Sequence, residues 1–235
     1  MDVGRGASAL QPCWDIMGQA IRRALLALGI AVVCVVLASA RVQFVLGGAL
    51  VNAGYRMQDH LARYDLEHEA HELAPTAIWT TFLRQNELAS GVRRMFPRSR
   101  YHPVIAMVAC MDARLDTNEL TGDTRRYYYV LRTAGSVMSV REQEMLSLAV
   151  RNGVRVVVFT THTDCAAERA AGDAAQRADF PQLVAGLGER ETHIREFLQR
   201  PEIDARLRDG TLIVRRAVIE TSTGRIRAAT DTASP

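Results

Sequence analysis

Val104-Ile105-Ala106-Met107-Val108-Ala109-Cys110-Met111-Asp112-Ala113-Arg114 is the stretch that decides the fold. Its first six residues are uniformly apolar, the pattern of a strand buried on both faces inside a parallel sheet. The last five place a thiol, a carboxylate and a guanidinium together where such a strand ends. In open α/β sheets that carboxyl rim is where ligands bind.

Outward from this segment the same grammar recurs. Tyr127-Tyr128-Tyr129-Val130-Leu131 is rich in strand formers and runs into Arg132-Thr133-Ala134-Gly135-Ser136, a turn composition at a second strand end. Ser139-Val140-Arg141-Glu142 has capping-box spacing, and Met145, Leu146, Leu148 and Ala149 continue a helix that stops at Asn152-Gly153. Residues 154–159 form another fully apolar strand, ending in Thr160-Thr161-His162-Thr163-Asp164-Cys165. Strand, helix and strand in that order predict a parallel βαβ unit, so Cys110 and His162 face one rim. His162 and Cys165 are close enough in sequence for one turn to present both to a single ion. Cys110, His162 and Cys165 thus make a candidate tetrahedral metal set in which thiolate and imidazole suit zinc. Three protein ligands with a fourth position open is the catalytic rather than the structural pattern. Asp164 reads as a turn residue.

The remaining chain predicts a helix-tolerant segment at 166–177, helices at 183–198 and 201–207, and a turn at Asp209-Gly210. A last strand starts at 211–214 and leads towards Val218-Ile219. Thr223-Gly224 turns the chain again, and residues 230–235 read as a frayed tail. Gly186-Leu187-Gly188 lacks a third glycine and a preceding strand, which excludes a dinucleotide fingerprint.

Composition narrows the chemistry. The chain has 235 residues, 48% of them hydrophobic, enough for a packed core with an appendage. All 29 basic residues are arginine, which excludes a Walker A phosphate loop and Schiff-base catalysis. The net charge of +3 is scattered among acids rather than striped, so no nucleic-acid partner is expected.

Before residue 100 the pattern changes. Residues 24–40 carry no charge, follow Arg22-Arg23 and close on Ala38-Ser39-Ala40. A signal peptide has this layout, and so does a membrane anchor once the run is extended past Arg41 by residues 42–51. Arginines on the amino side would leave the start inside and the rest outside, a membrane-anchored or exported protein on the periplasmic or extracytoplasmic side. Residues 55–71 read as a polar-faced helix interrupted at Pro75. Ile78, Trp79, Phe82 and Leu83 then predict a second helix before Ser90-Gly91, packing on the core or on a partner subunit. His68 and His71 lack the histidine spacing of a zincin and read as a solvated face. Cys13 and Cys34 belong to the leader, leaving Cys110 and Cys165 as the one conceivable disulfide pair.

The two motifs C-x-D-x-R at Cys110-Met111-Asp112-Ala113-Arg114 and H-x-x-C at His162-Thr163-Asp164-Cys165, with the Arg132 to Ser136 turn between them, resemble the β-class carbonic anhydrases. The resemblance covers residues 102–227. It implies an α/β fold with a mostly parallel central sheet flanked by helices, preceded by an N-terminal hydrophobic helix and a helical arm. The expected division is anchor or signal at 1–51, arm at 52–100, zinc domain at 101–229 and tail at 230–235. The resemblance further implies Zn2+ on Cys110, His162 and Cys165, and catalytic Asp112 paired with Arg114. Thr133, Ala134 and Gly135 are the candidate substrate pocket. The activity implied is reversible hydration of carbon dioxide to bicarbonate and a proton, by a zinc-bound hydroxide whose hydrogen bond Asp112 accepts. A homodimer or higher homo-oligomer is implied too, as is a closed state in which Asp112 takes the fourth zinc position. Two alternatives stand beside this: a related zinc hydrolase of the carbon disulfide type, and a catalytically silent, membrane-tethered zinc-binding module. Two departures from the family pattern fall near the site. Thr133 and Ser136 stand in the R-N-A-G-G turn, and Ala166 replaces the glycine after the second cysteine, adding a methyl where backbone freedom is expected.

Overall fold

A computed structural model describes residues 11–59, 74–96, 102–121 and 128–229. The chain divides into two compact units, residues 1–82 and 83–235. In the first, helix α1 (Gln11–Ala38) and helix α2 (Ala40–Asp59) are separated at Ser39. The window Ile21–Ala38 has a mean hydropathy of 2.3 and none of it is buried, so this helix is long and apolar enough to cross a membrane. A signal sequence passes the same test. Helix α3 (Pro75–Met95) starts on its proline, which is at home in a first turn, and runs on through Ser90-Gly91. An interior glycine costs a helix only about 1 kcal/mol, too little to end this one. His68, His71 and the expected helix beyond Asp59 lie outside the described residues, as does the expected frayed tail.

The second unit is built on a five-stranded sheet of β1 (Ile105–Cys110), β2 (Tyr128–Thr133), β3 (Val156–His162), β4 (Ile213–Glu220) and β5 (Arg225–Ala228). The spatial order is β2-β1-β3-β4-β5, with all pairs parallel except β4 with β5. The expected parallel β2–helix–β3 unit is present, and β1 lies between its two strands. Burial explains the composition: β1 is central, and five of its six residues are buried. β2 is an edge strand and only partly covered, which its tyrosines and Arg132 tolerate. β5 was not anticipated as a strand.

Helix α4 (Thr117–Thr121) follows the first strand, and α5 (Val140–Arg151) joins β2 to β3. The expected capping box is formed by Ser139 and Glu142, and Gly153 just past the helix takes φ 106°. Between β3 and β4 come α6 (Ala166–Gly172), α7 (Ala174–Asp179), α8 (Pro181–Leu198) and α9 (Pro201–Arg208). The single segment anticipated at 166–177 is two helices because Asp173 leaves the helical conformation and caps Ala175 and Gln176. Leu146, Val150, Ile194, Phe197 and Ile203 cover Ala106, Val108, Val157 and Phe159 of the sheet. Phe159 and Phe197 meet edge to face at 5.9 Å.

The chain leaves β1 for β2 on one side and returns to β3 on the other. The connections therefore diverge between β1 and β3, and a crevice is expected at their carboxyl ends. Cys110 and His162 are the last residues of those two strands.

Candidate metal centre

At this switch point Cys110, His162 and Cys165 converge, with their Sγ and ring nitrogen atoms all within 4.8 Å of one another. They are 4%, 5% and 3% exposed. Strand ends place the first two, and Cys165 arrives by a tight turn in which Asp164 adopts φ 60°. Cys165 also caps α6, so its position is tied to that helix. Ala166 is the first residue of α6, and its backbone is not among those with positive φ, so the extra methyl meets no strain there. Both thiols are free, and the conceivable Cys110–Cys165 disulfide is not formed.

His162 defines the polarity of the cluster. Its Nδ1 lies 3.0 Å from the carbonyl oxygen of Thr163 and 3.2 Å from Thr221 Oγ1. A proton on Nδ1 donated to that carbonyl leaves the Nε2 lone pair bare, and Nε2 is buried without any partner. Orientation of one ring nitrogen by a carbonyl while the other is free is how metal-binding histidines are held. Burial, followed by the proximity of Cys110, pushes the Cys165 thiol up from its ordinary value. A cation among these atoms reverses that preference and draws off the protons. Two soft sulfurs and one bare imidazole nitrogen, all buried, fit a zinc ion.

Beside the cluster stands a ladder of charges. Arg114 Nε donates to Asp112 Oδ1 at 2.9 Å and its Nη2 to Oδ2 at 2.7 Å, and the Arg114 backbone N–H adds a third bond at 3.0 Å. This bidentate grip holds the Asp112 carboxyl well below the usual carboxylate range. With both carboxylate oxygens on Arg114, Asp112 is outside the three-residue donor cluster. Arg114 also donates from Nη1 to Asp164 Oδ2 at 2.9 Å and from Nη2 to the Asp164 carbonyl, and Arg169 pairs with Asp164 in turn. Arg132 Nη2 donates to the Asp112 carbonyl at 2.6 Å. Asp164, Arg169, Arg132 and Thr221 were thus missed as parts of the site. Asp164 is the turn residue expected, and it also steadies Arg114 across a separation of 50 residues.

The expected pocket residues lie alongside. The Thr133 carbonyl accepts the Met111 N–H at 3.1 Å, and Thr133 pairs in register with Cys110. Residues Ala134–Ser136 form a single 3-10 turn with Gly135 at φ 60°. The left-handed φ of Gly135 disfavours a side chain there, and an added Cβ would also have to displace the end of Leu187. Ser136 also takes a left-handed φ, 57°.

Residues 105–223, just over half of the chain, match the family model described as carbonic anhydrase. The chain belongs to the β-carbonic anhydrase family. Beta-carbonic anhydrase 1 of Mycobacterium tuberculosis is 42% identical over 64 residues, 26% of this chain and 38% of that one. The chain therefore matches little more than a third of the length of this curated relative. Among solved structures, the carbonic anhydrase of Streptococcus mutans is 21% identical with a TM-score of 0.49, covering 63% of this chain and 97% of that chain. Tetrameric β-carbonic anhydrases of Sordaria macrospora are 17% identical with a TM-score of 0.48, over 65% of this chain and 96% of theirs.

Proposed function

We propose that this protein catalyses the reversible hydration of carbon dioxide, with zinc held by Cys110 Sγ, His162 Nε2 and Cys165 Sγ. The observation that carries this reading is the buried, partnerless Nε2 of His162 facing two free thiols, beside a carboxylate that Arg114 keeps ionised. Zinc at such a set supplies Lewis acidity that brings the ionisation of water towards neutral pH. The chain's own residues do the rest. Asp112, permanently a carboxylate, can only accept hydrogen bonds, so it orients the attacking water with a lone pair towards the substrate carbon. Arg114 fixes that carboxylate in place, and Asp164 fixes Arg114. Thr163 and Thr221 hold the His162 ring in one tautomer. The Thr133, Ala134 and Gly135 turn walls the substrate side, and the missing side chain of Gly135 lets the back of that turn pack against Leu187.

Hydration activity on the full chain in detergent, by stopped flow with parallel metal analysis, tests the reading. One zinc per chain with turnover of carbon dioxide supports it. Stoichiometric zinc without turnover at any pH between about 6 and 9 would sink it and leave a silent zinc module.

The chain is further proposed to be tethered or exported through residues 1–51 and to assemble as a homodimer or larger through the arm at 52–100. The apolar, unburied window Ile21–Ala38 supports the first. The exposed Trp79, Phe82, Leu83, Leu88 and Val92 of α3 support the second. A monodisperse monomer in detergent refutes the assembly.

A further inference from the structure

The turn at Ala134–Ser136 serves the metal centre on one side and closes a separate cleft on the other. This cleft, of about 130 Å3, is bounded by Ser136, Phe159, Thr160, Arg190, Glu191 and Arg216 among others. Two hydrogen-bond donors there have no acceptor. Ser136 is 4% exposed and its buried Oγ is unpartnered, and the Nε–H of Arg190 is buried and unpartnered as well. Arg190 is not free to turn away. Its Nη2 donates to Glu168 Oε1 at 2.7 Å, and the same Nη2 lies 3.4 Å from where a Cβ on Gly135 would sit. The guanidinium is thereby clamped through Nη2, with the Nε–H beside it on the same edge left without an acceptor.

Neighbouring groups do not supply the missing acceptor. The Thr160 hydroxyl is spent on the Val108 carbonyl at 2.8 Å. Glu191, the one carboxylate among the lining residues, is paired with Arg216. Both guanidinium groups already have a carboxylate, Arg190 that of Glu168 and Arg216 that of Glu191, so the cleft offers unspent hydrogen-bond donors rather than spare charge. Buried donors without acceptors are costly, and a cleft several times the roughly 30 Å3 share of a water molecule has room for more than a single solvent bridge. Ser136 also adopts its left-handed backbone without being glycine, an outlier of the kind that clusters at ligand clamps.

We propose that this cleft binds a small planar oxyanion of nitrate or formate size, its oxygens accepting from Ser136 Oγ and Arg190 Nε. The site is distinct from the metal set: neither Cys110, His162 nor Cys165 lines it. Occupancy would steady the Ala134–Ser136 turn from behind.

The test is a nitrate titration of the full chain in detergent, at constant ionic strength with chloride as the balancing anion, following both the melting temperature and the 15N–1H signal of Arg190 Nε. The expected result is a saturable rise in melting temperature with half-saturation in the low millimolar range and a matching shift of the Arg190 signal. Ser136→Ala and Arg190→Lys should each weaken the response at least tenfold. Ser136→Ala removes only a hydroxyl, so it keeps the test decisive if Arg190→Lys fails to fold. A response equal in wild type and Ser136→Ala places nitrate elsewhere, at the metal centre or in bulk, and overturns the proposal. No saturable response in wild type overturns it too, leaving a water-filled cleft. Neither result bears on carbon dioxide turnover, which is measured without nitrate.

Discussion

The carboxyl rim of the sheet contains two neighbouring clusters with opposite accounts of their own polarity. Asp112, Arg114, Asp164 and Arg169 satisfy one another, every carboxylate meeting a guanidinium. Cys110, His162 and Cys165 are more deeply buried and do not: the imidazole presents a bare Nε2 and the thiols are free. A self-satisfied network fixes geometry, whereas an unsatisfied buried one is held open for a guest. On the proposed function the first half is a positioning device and the second a receptor, and they should respond differently to substitution.

The largest effect should follow from removing a receptor atom. Cys110→Ser or Cys165→Ser is expected to lower zinc content to a small fraction of one per chain and carbon dioxide hydration by ~10³-fold or more. Metal analysis with stopped flow checks both, and a serine variant that keeps full zinc would break the assignment of that sulfur. Asp112→Asn belongs to the other half. It should retain zinc and lose hydration by ~10²- to 10³-fold, because an amide no longer presents two acceptor oxygens to the water. Loss of zinc in Asp112→Asn would merge the two halves into one.

One step further out, Asp164→Asn removes the negative charge shared by Arg114 and Arg169 and one of the two acceptor oxygens they use, while leaving the Asp112 grip in place. Hydration should fall by about 10-fold with metal unchanged. Thr221→Val removes a side-chain contact to His162 Nδ1 and should instead weaken zinc affinity, by about 10-fold in a competition titration with a chelator. Opposite signatures from two residues at similar remove from the ion would sharpen the division between positioning and reception.

How far this division can be read from sequence depends on distance along the chain. Cys110, Asp112, Arg114, His162 and Cys165 are legible because each follows a strand whose apolar run announces its end, and because their spacing within each motif is local. Asp164 and Thr221 act across 50 and 59 residues, on Arg114 and His162, and nothing in their immediate surroundings marks them. The same reason hides β5. Arg225-Ile226-Arg227-Ala228 has one strongly apolar residue and two arginines, and it becomes a strand by pairing with β4, where Ile226 meets Ile219. The insertion of β1 between β2 and β3 is equally invisible locally. It is nevertheless what creates the switch point that brings Cys110 to His162.

A self-satisfied pair away from the rim provides the smallest and most specific expectation. Ser139 and Glu142 cap α5, with the Ser139 N–H donating to Glu142 Oε2 at 2.7 Å, the Ser139 hydroxyl donating to the same oxygen, and Ser139 Oγ accepting from the Arg141 N–H at 3.2 Å. The hydroxyl, first among the causes, holds the Glu142 carboxyl below its ordinary value. A lowered folded-state value means that this stabilisation is fully present above the unfolded value of about 4.3 and is lost as pH falls through the folded one. Ser139→Ala should therefore cost about 1 kcal/mol near neutral pH. In urea unfolding the gap to wild type should narrow below pH ~4, where the carboxyl protonates in both proteins. It should not close, because the Arg141 N–H has lost its acceptor at every pH. Zinc content and hydration should be unaltered within about twofold, since surface capping changes act on stability rather than on the site. A tenfold loss of turnover in Ser139→Ala with zinc intact would mean that the α5 amino end belongs to the positioning half of the rim, and the comparison would have to be redrawn to include it.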